Sequence, residues 1–167
     1  MSEPKVATPV KIAILGAGAL GRAWSRVIEA DPRARLAAII DPLVGTDRAP
    51  AWIDEHPEIP RARNLAELGL VSLDAAVVTA FSPAHAEAVR AALDHGLHVI
   101  VEKPFVTGLD DAHALVELAA RRGLTLMVSQ NYRHFPGVAT LRGLVADETF
   151  GRIRSVSGRF TYDCAGQ

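Results

Sequence analysis

VKIAILGAGALGRAW, Val10 to Trp24, opens with a run that is apolar except for Lys11, passes through three glycines in six residues and continues into helical spacing. A short apolar run closed by glycine predicts a buried strand. Beyond it Leu20, Trp24, Val27 and Ile28 stand at i, i+4, i+7 and i+8. That spacing predicts one buried stripe on a helix that Asp31-Pro32 stops. The string Gly16-Ala17-Gly18-Ala19-Leu20-Gly21 therefore joins a strand to a helix, and each glycine has its own physical reason. Gly16 permits a tight turn, Gly18 lets a pyrophosphate approach the backbone with no Cβ in the way, and Gly21 lets helix and strand pack closely. The free N–H groups of the first helical turn, those of Ala19 and Leu20 among them, face the same point with partial positive charge. A bound dinucleotide is the functional reading; a purely structural glycine turn is the alternative.

Leu36 to Ile40 is a second apolar run and ends at Asp41-Pro42, which closes a unit of the size of a βαβ crossover. Asp41 stands 20 residues after Gly21. A carboxylate there accepts hydrogen bonds from the adenosine ribose hydroxyls and repels a 2′-phosphate, which favours NAD over NADP. Arg22 and Arg48 are the charges that would compensate for it, and a turn aspartate before Pro42 is the plainer reading.

Outward from this unit the pattern weakens between Val44 and Leu70, where only short helices and a stub of strand are expected. Periodicity returns with a strand at Asp74 to Thr79. A helix follows, with Ser82 placed to cap it, Pro83 in its first turn, Gly96 past its end and Ala86, Val89 and Leu93 on its buried face. Leu97 to Val101 reads as a strand. Ala112, Leu115, Val116 and Ala119 mark a helix ending at Arg121, Arg122 and Gly123, and Leu124 to Ser129 reads as the last strand. Such alternation predicts an α/β fold, a doubly wound and mostly parallel Rossmann sheet covered on both faces. After Gln130 the rhythm changes: a helix is expected at Gly137 to Ala146, then a strand from Arg152 to Tyr162 with Val156, Phe160 and Tyr162 on one face.

Composition narrows the function. The chain has 167 residues, 49% of them hydrophobic, and 18 basic residues set against 19 acidic ones, which argues for a folded core and against nucleic-acid or membrane-surface binding. Its single cysteine, Cys164, makes no intrachain disulfide, and no Cys/His spacing suits a metal. No signal peptide or membrane span is expected, so the reading is cytoplasmic. His56, His95, His98 and His113 lack ligand spacing, and His134 is either a titrating neighbour of Tyr132 or a loop residue. Trp24 is expected in the core; Trp52 is ambiguous.

Glu102-Lys103-Pro104 follows the fifth strand, at the carboxyl edge where open α/β sheets place ligands. Lys103 there either stabilises a substrate oxygen as hydride leaves its carbon or is an ordinary surface lysine. With HAEAVRAALDHGLHVIVEKP from His85 to Pro104, NYRHFPG from Asn131 to Gly137 and GRIRSV from Gly151 to Val156 added to Val10 to Trp24 and Asp41, the chain resembles the Gfo/Idh/MocA oxidoreductases. The resemblance implies that Lys103 touches the substrate or catalytic site and that Glu102 and Pro104 border the cofactor, Pro104 shaping the nicotinamide pocket. It also implies that His85 neighbours the cofactor and that Tyr132 and Arg133 lie near a domain junction. Where relatives carry Thr-Pro, this chain has Ala80-Phe81 beside the cofactor, and Thr79 is a partial substitute at best, because strand neighbours point to opposite faces.

The resemblance divides the chain into a dinucleotide-binding domain at 1–130 and, at 131–167, a junction and the first strand of an otherwise missing α+β second domain. In such proteins that second domain holds the acid–base pair. Two functions follow: hydride transfer between nicotinamide and a carbinol carbon of a sugar, polyol or related small metabolite, or a truncated NAD-binding module without catalysis of its own. An unpaired last strand would invite a second copy or another chain.

Overall fold

The computed structural model describes residues 8–159 and Thr161. The chain divides into two compact units between Ser129 and Gln130. In the first, six strands form one sheet: β1 (Val10–Leu15), β2 (Ala34–Ile40), β3 (Arg61–Ala62), β4 (Ala75–Val78), β5 (His98–Val101) and β6 (Leu126–Val128), in the order β3-β2-β1-β4-β5-β6. Every pairing is parallel. The helices are α1 (Ala19–Ala30), α2 (His85–Asp94) and α3 (Leu109–Arg122); the second unit carries α4 (Pro136–Ala146). This is the doubly wound α/β fold that the sequence predicts.

The order of strands reverses between β1 and β4, which opens a crevice at their carboxyl ends. Alternation along β1 shows why the runs are continuously apolar: Ala13 and Leu15 join a core with Val89, Leu93, Leu115 and Ala119 of α2 and α3, while Ile14 joins another with Ile28 of α1 and with Trp52 and Ile53. Both faces of the sheet are covered, so neither set of side chains is polar. Arg122 fastens α3 to the end of α2, its guanidinium donating to Asp94 Oδ1 at 2.6 Å and to the Asp94 carbonyl at 3.0 Å.

Four local expectations are corrected. The buried stripe of α1 runs through Gly21, Ser25 and Ile28, whereas Leu20 and Val27 are 48% and 58% exposed. Contact of Gly21 with the glycine loop sets this rotation, and hydropathy cannot register a glycine as buried. Val116 on α3 is likewise exposed, with Leu115 and Ala119 inward. Ser82 does not cap α2: it starts a short 3-10 turn, Ser82–Ala84, that leads directly into the helix. Residues 152–159 form no strand, and the Phe160 and Tyr162 positions of that expectation lie outside the described residues, as does Cys164.

Candidate functional site

The glycine loop sits at the mouth of the crevice. Gly16 has a φ of +105°, and a Cβ on it would lie 2.5 Å from the Ala80 nitrogen, so both conformation and packing require glycine. A Cβ on Gly21 would collide with the Gly16 carbonyl oxygen and approach Ile14 Cγ2 at 3.3 Å. Gly18 is different. Its φ of −65° and ψ of −167° suit any residue, and no atom lies within 4 Å of where its Cβ would be. Nothing within the described protein demands glycine there, whereas a ligand laid on the backbone would.

The loop is held from four sides. The Gly16 N–H donates to the Ile40 carbonyl at 2.8 Å, the Thr79 hydroxyl donates to the Gly16 carbonyl at 2.6 Å, the Ala17 N–H donates to Asp41 Oδ2 at 2.7 Å and the Trp52 indole N–H donates to the Ala17 carbonyl at 2.7 Å. Thr79 is thus occupied in shaping the loop. Ala19 and Leu20 open α1, where the first-turn N–H groups have no intrahelical acceptors. The loop fits a pyrophosphate: open space over Gly18, free donors and the positive end of a helix.

Asp41 is buried, with Oδ1 accepting from the Leu43 N–H at 2.9 Å and Oδ2 taken by Ala17. It borders a cavity of about 420 Å³ together with Gly16, Pro42, Arg63, Ala80, Phe81 and Glu87. Of the arginines considered from sequence, Arg22 is paired with Glu55 at 2.7 Å, and Arg48 does not line this cavity. The cation that does is Arg63. Sequence reasoning missed both Arg63 and the role of Trp52, since the 44–70 segment has no periodicity to flag them.

At the end of β5, Glu102 is buried and Lys103 and Pro104 are exposed. Glu102 Oε1 accepts from the Trp24 indole N–H at 2.9 Å, and Oε2 accepts from the Lys103 N–H at 3.2 Å. Trp24 is therefore a half-buried tie between α1 and β5 as well as a core residue. His85 is 1% exposed, with Nδ1 2.8 Å from the Pro104 carbonyl oxygen and Nε2 2.9 Å from that of Ala80. In the second unit Tyr132 and Arg133 lie in the turn Asn131–His134, the Tyr132 ring 4.9 Å from that of Phe135. Among the described residues no group of His, Cys, Asp and Glu is placed to hold a metal, and no helix is long and apolar enough to cross a membrane.

Comparison with known proteins agrees with this geometry. The family model GFO_IDH_MocA, described as an oxidoreductase family with an NAD-binding Rossmann fold, matches residues 10–130. The dTDP-3,4-didehydro-2,6-dideoxy-alpha-D-glucose 3-reductase of Actinomadura kijaniata is 30% identical over 164 residues, covering 96% of this chain and 48% of the reductase. GenD2 from gentamicin A biosynthesis, solved in complex with NAD, superposes with a TM-score of 0.76 at 23% identity, covering 89% of this chain and 42% of that one. KijD10, a 3-ketoreductase from Actinomadura kijaniata solved with TDP-benzene and NADP, superposes with a TM-score of 0.72 at 28% identity, covering 88% and 46%. The chain spans less than half the length of each.

Proposed function

The chain belongs to the Gfo/Idh/MocA oxidoreductase family, and from that premise we propose that it binds NAD in the β1–β4 crevice to support hydride transfer from a carbinol carbon of a sugar, polyol or related small metabolite, or back to the corresponding carbonyl carbon. The observation that carries the reading is Gly18, a glycine required by neither backbone nor packing at the N-terminus of α1. The nicotinamide, when bound, supplies the hydride-accepting carbon.

The chain's own residues do the rest. The first-turn N–H groups of α1 bind the pyrophosphate, and the four bonds on Gly16 and Ala17 keep those donors in place before the ligand arrives. Asp41 presents a carboxylate to the ribose end of the cavity, which favours NAD over NADP. Lys103, exposed beyond β5, hydrogen-bonds the substrate oxygen and stabilises negative charge developing on it, while Glu102 fixes the start of its loop through the Lys103 N–H.

Calorimetry with NADH tests the reading. Saturable binding is expected for the native chain and is lost in Gly18→Val, whose melting temperature stays close to native because the added Cβ meets open space. Absence of saturable heat, or equal heat in the variant, overturns it. NADPH is expected to bind more weakly than NADH, and Asp41→Asn to narrow that gap.

A second reading is a binding module that holds the dinucleotide without turnover, favoured by a glycine loop whose hydrogen bonds all serve to hold a binding surface. Formation of NADH from NAD on a panel of sugars and polyols separates the two: turnover supports the enzyme, and silence with binding intact supports the module.

A further inference from the structure

We propose that His85 is a positioning residue that, as a doubly protonated imidazolium, clamps the loop following Lys103 to the end of β4. The ring is 1% exposed, and its hydrogen-bond partners are all backbone carbonyls: Pro104 at 2.8 Å and Phe105 at 3.2 Å from Nδ1, and Ala80 at 2.9 Å from Nε2. A carbonyl oxygen only accepts, and a neutral imidazole has a single N–H. In either neutral tautomer one nitrogen would direct its lone pair at a carbonyl oxygen within hydrogen-bond distance, at a site closed to relieving water. Turning the ring over would place C–H groups at both ends and make neither bond. The imidazolium donates from both nitrogens and satisfies both walls.

The ionisable residues on the surrounding elements are Glu87, Arg90 and Asp94 on α2, Glu102 and Lys103 ahead of the clamped loop, and Asp110, Asp111, His113, Glu117, Arg121 and Arg122 on α3. None of them pairs with the ring; its partners are the three carbonyls. Ala80 ends the β4 wall of the crevice, while Pro104 and Phe105 directly follow Lys103, so the ring fixes the position of Lys103 relative to the glycine loop. This consequence rests on the proposed cofactor site; the charge state of the ring does not.

The test has two parts, both on the full chain. In ring-nitrogen NMR of the native protein at neutral pH, both His85 nitrogens are expected to carry protons; one protonated and one bare nitrogen would overturn the clamp. In titrations, His85→Phe keeps ring volume and removes both bonds. NADH affinity is expected to fall about tenfold, on the scale of one charge-assisted hydrogen bond. ADP-ribose, which lacks the nicotinamide, is expected to bind unchanged. No loss, or equal loss of both ligands, overturns the positioning role. His85→Asn, which keeps a donor near Nδ1, is expected to fall between the two, and it carries the same comparison if the phenylalanine variant does not fold. Failure of the native chain to bind either ligand would sink the cofactor reading instead, with the NMR result still deciding the state of His85.

Discussion

Gly16, Gly18 and Gly21 look equivalent as letters and differ as physical objects. The first and third are demanded by the protein's own packing, whereas the second faces open space and, on the proposed reading, answers to what approaches from outside. Substituting alanine at each separates the two kinds. Gly21→Ala drives a methyl group into the Gly16 carbonyl, backbone that cannot swing aside, so a loss of about 1–3 kcal/mol is expected. Denaturant unfolding measures it. Gly18→Ala is expected to leave that midpoint in place and lower NADH affinity, and a large stability loss there would contradict the open space around it. Trp52→Phe tests the hold on the loop from beneath. It leaves the Ala17 carbonyl without its indole donor, at an expected cost of about 1–3 kcal/mol in stability. The glycines were legible in sequence because their setting, strand before and helix after, is local. Trp52 was not, since its partner lies 35 residues away and no repeat links them.

The strands were nearly all readable, and their covering on both faces explains why: a buried parallel strand is a continuous apolar run, visible without knowing its neighbours. Helix rotation was less readable. The inward face of α1 holds a glycine and a serine, so the apolar count pointed to Leu20 and Val27, which face out. The turn from α1 into β2 shows a further feature that pattern cannot supply. Asp31 accepts hydrogen bonds from the Arg33 guanidinium and backbone N–H, which hold its carboxyl down from 3.8 to about 2. A carboxylate depressed in the folded state stabilises above its unfolded value, and that contribution is lost as pH falls from about 4 toward 2. The pair is open to solvent, so the effect on global stability is small. The sharper readout is the Asp31 carboxyl itself, followed by carbon NMR through an acid titration. It is expected to titrate near 2 in the native chain and to rise toward 3.8 in Arg33→Ala. Titration at the ordinary value in both would show that the turn does not hold this pair in solution.

At the scale of the molecule, the parts best specified by sequence are those whose contacts repeat at short range. The described part of the second unit is less covered: α4 leaves Val138, Leu141 and Val145 exposed, and residues 152–159 form no strand. A run with strand-like content becomes a strand only when something pairs with it, and local sequence does not contain the partner. The first unit carries the testable global property. A ligand that binds only the folded chain stabilises it by an amount set by its concentration relative to Kd, about 2.7 kcal/mol at a hundredfold excess over Kd. For a protein of this size, ~2–4 °C per kcal/mol gives a rise in Tm of about 5–10 °C. NADH is expected to produce that rise, and ADP-ribose a smaller one at equal concentration, because it fills the pyrophosphate and adenosine ends without reaching the edge that His85 and Lys103 define. Equal shifts from the two ligands would place all the binding energy at the glycine loop and Asp41. No shift from either would mean that the open space over Gly18 is not a dinucleotide's.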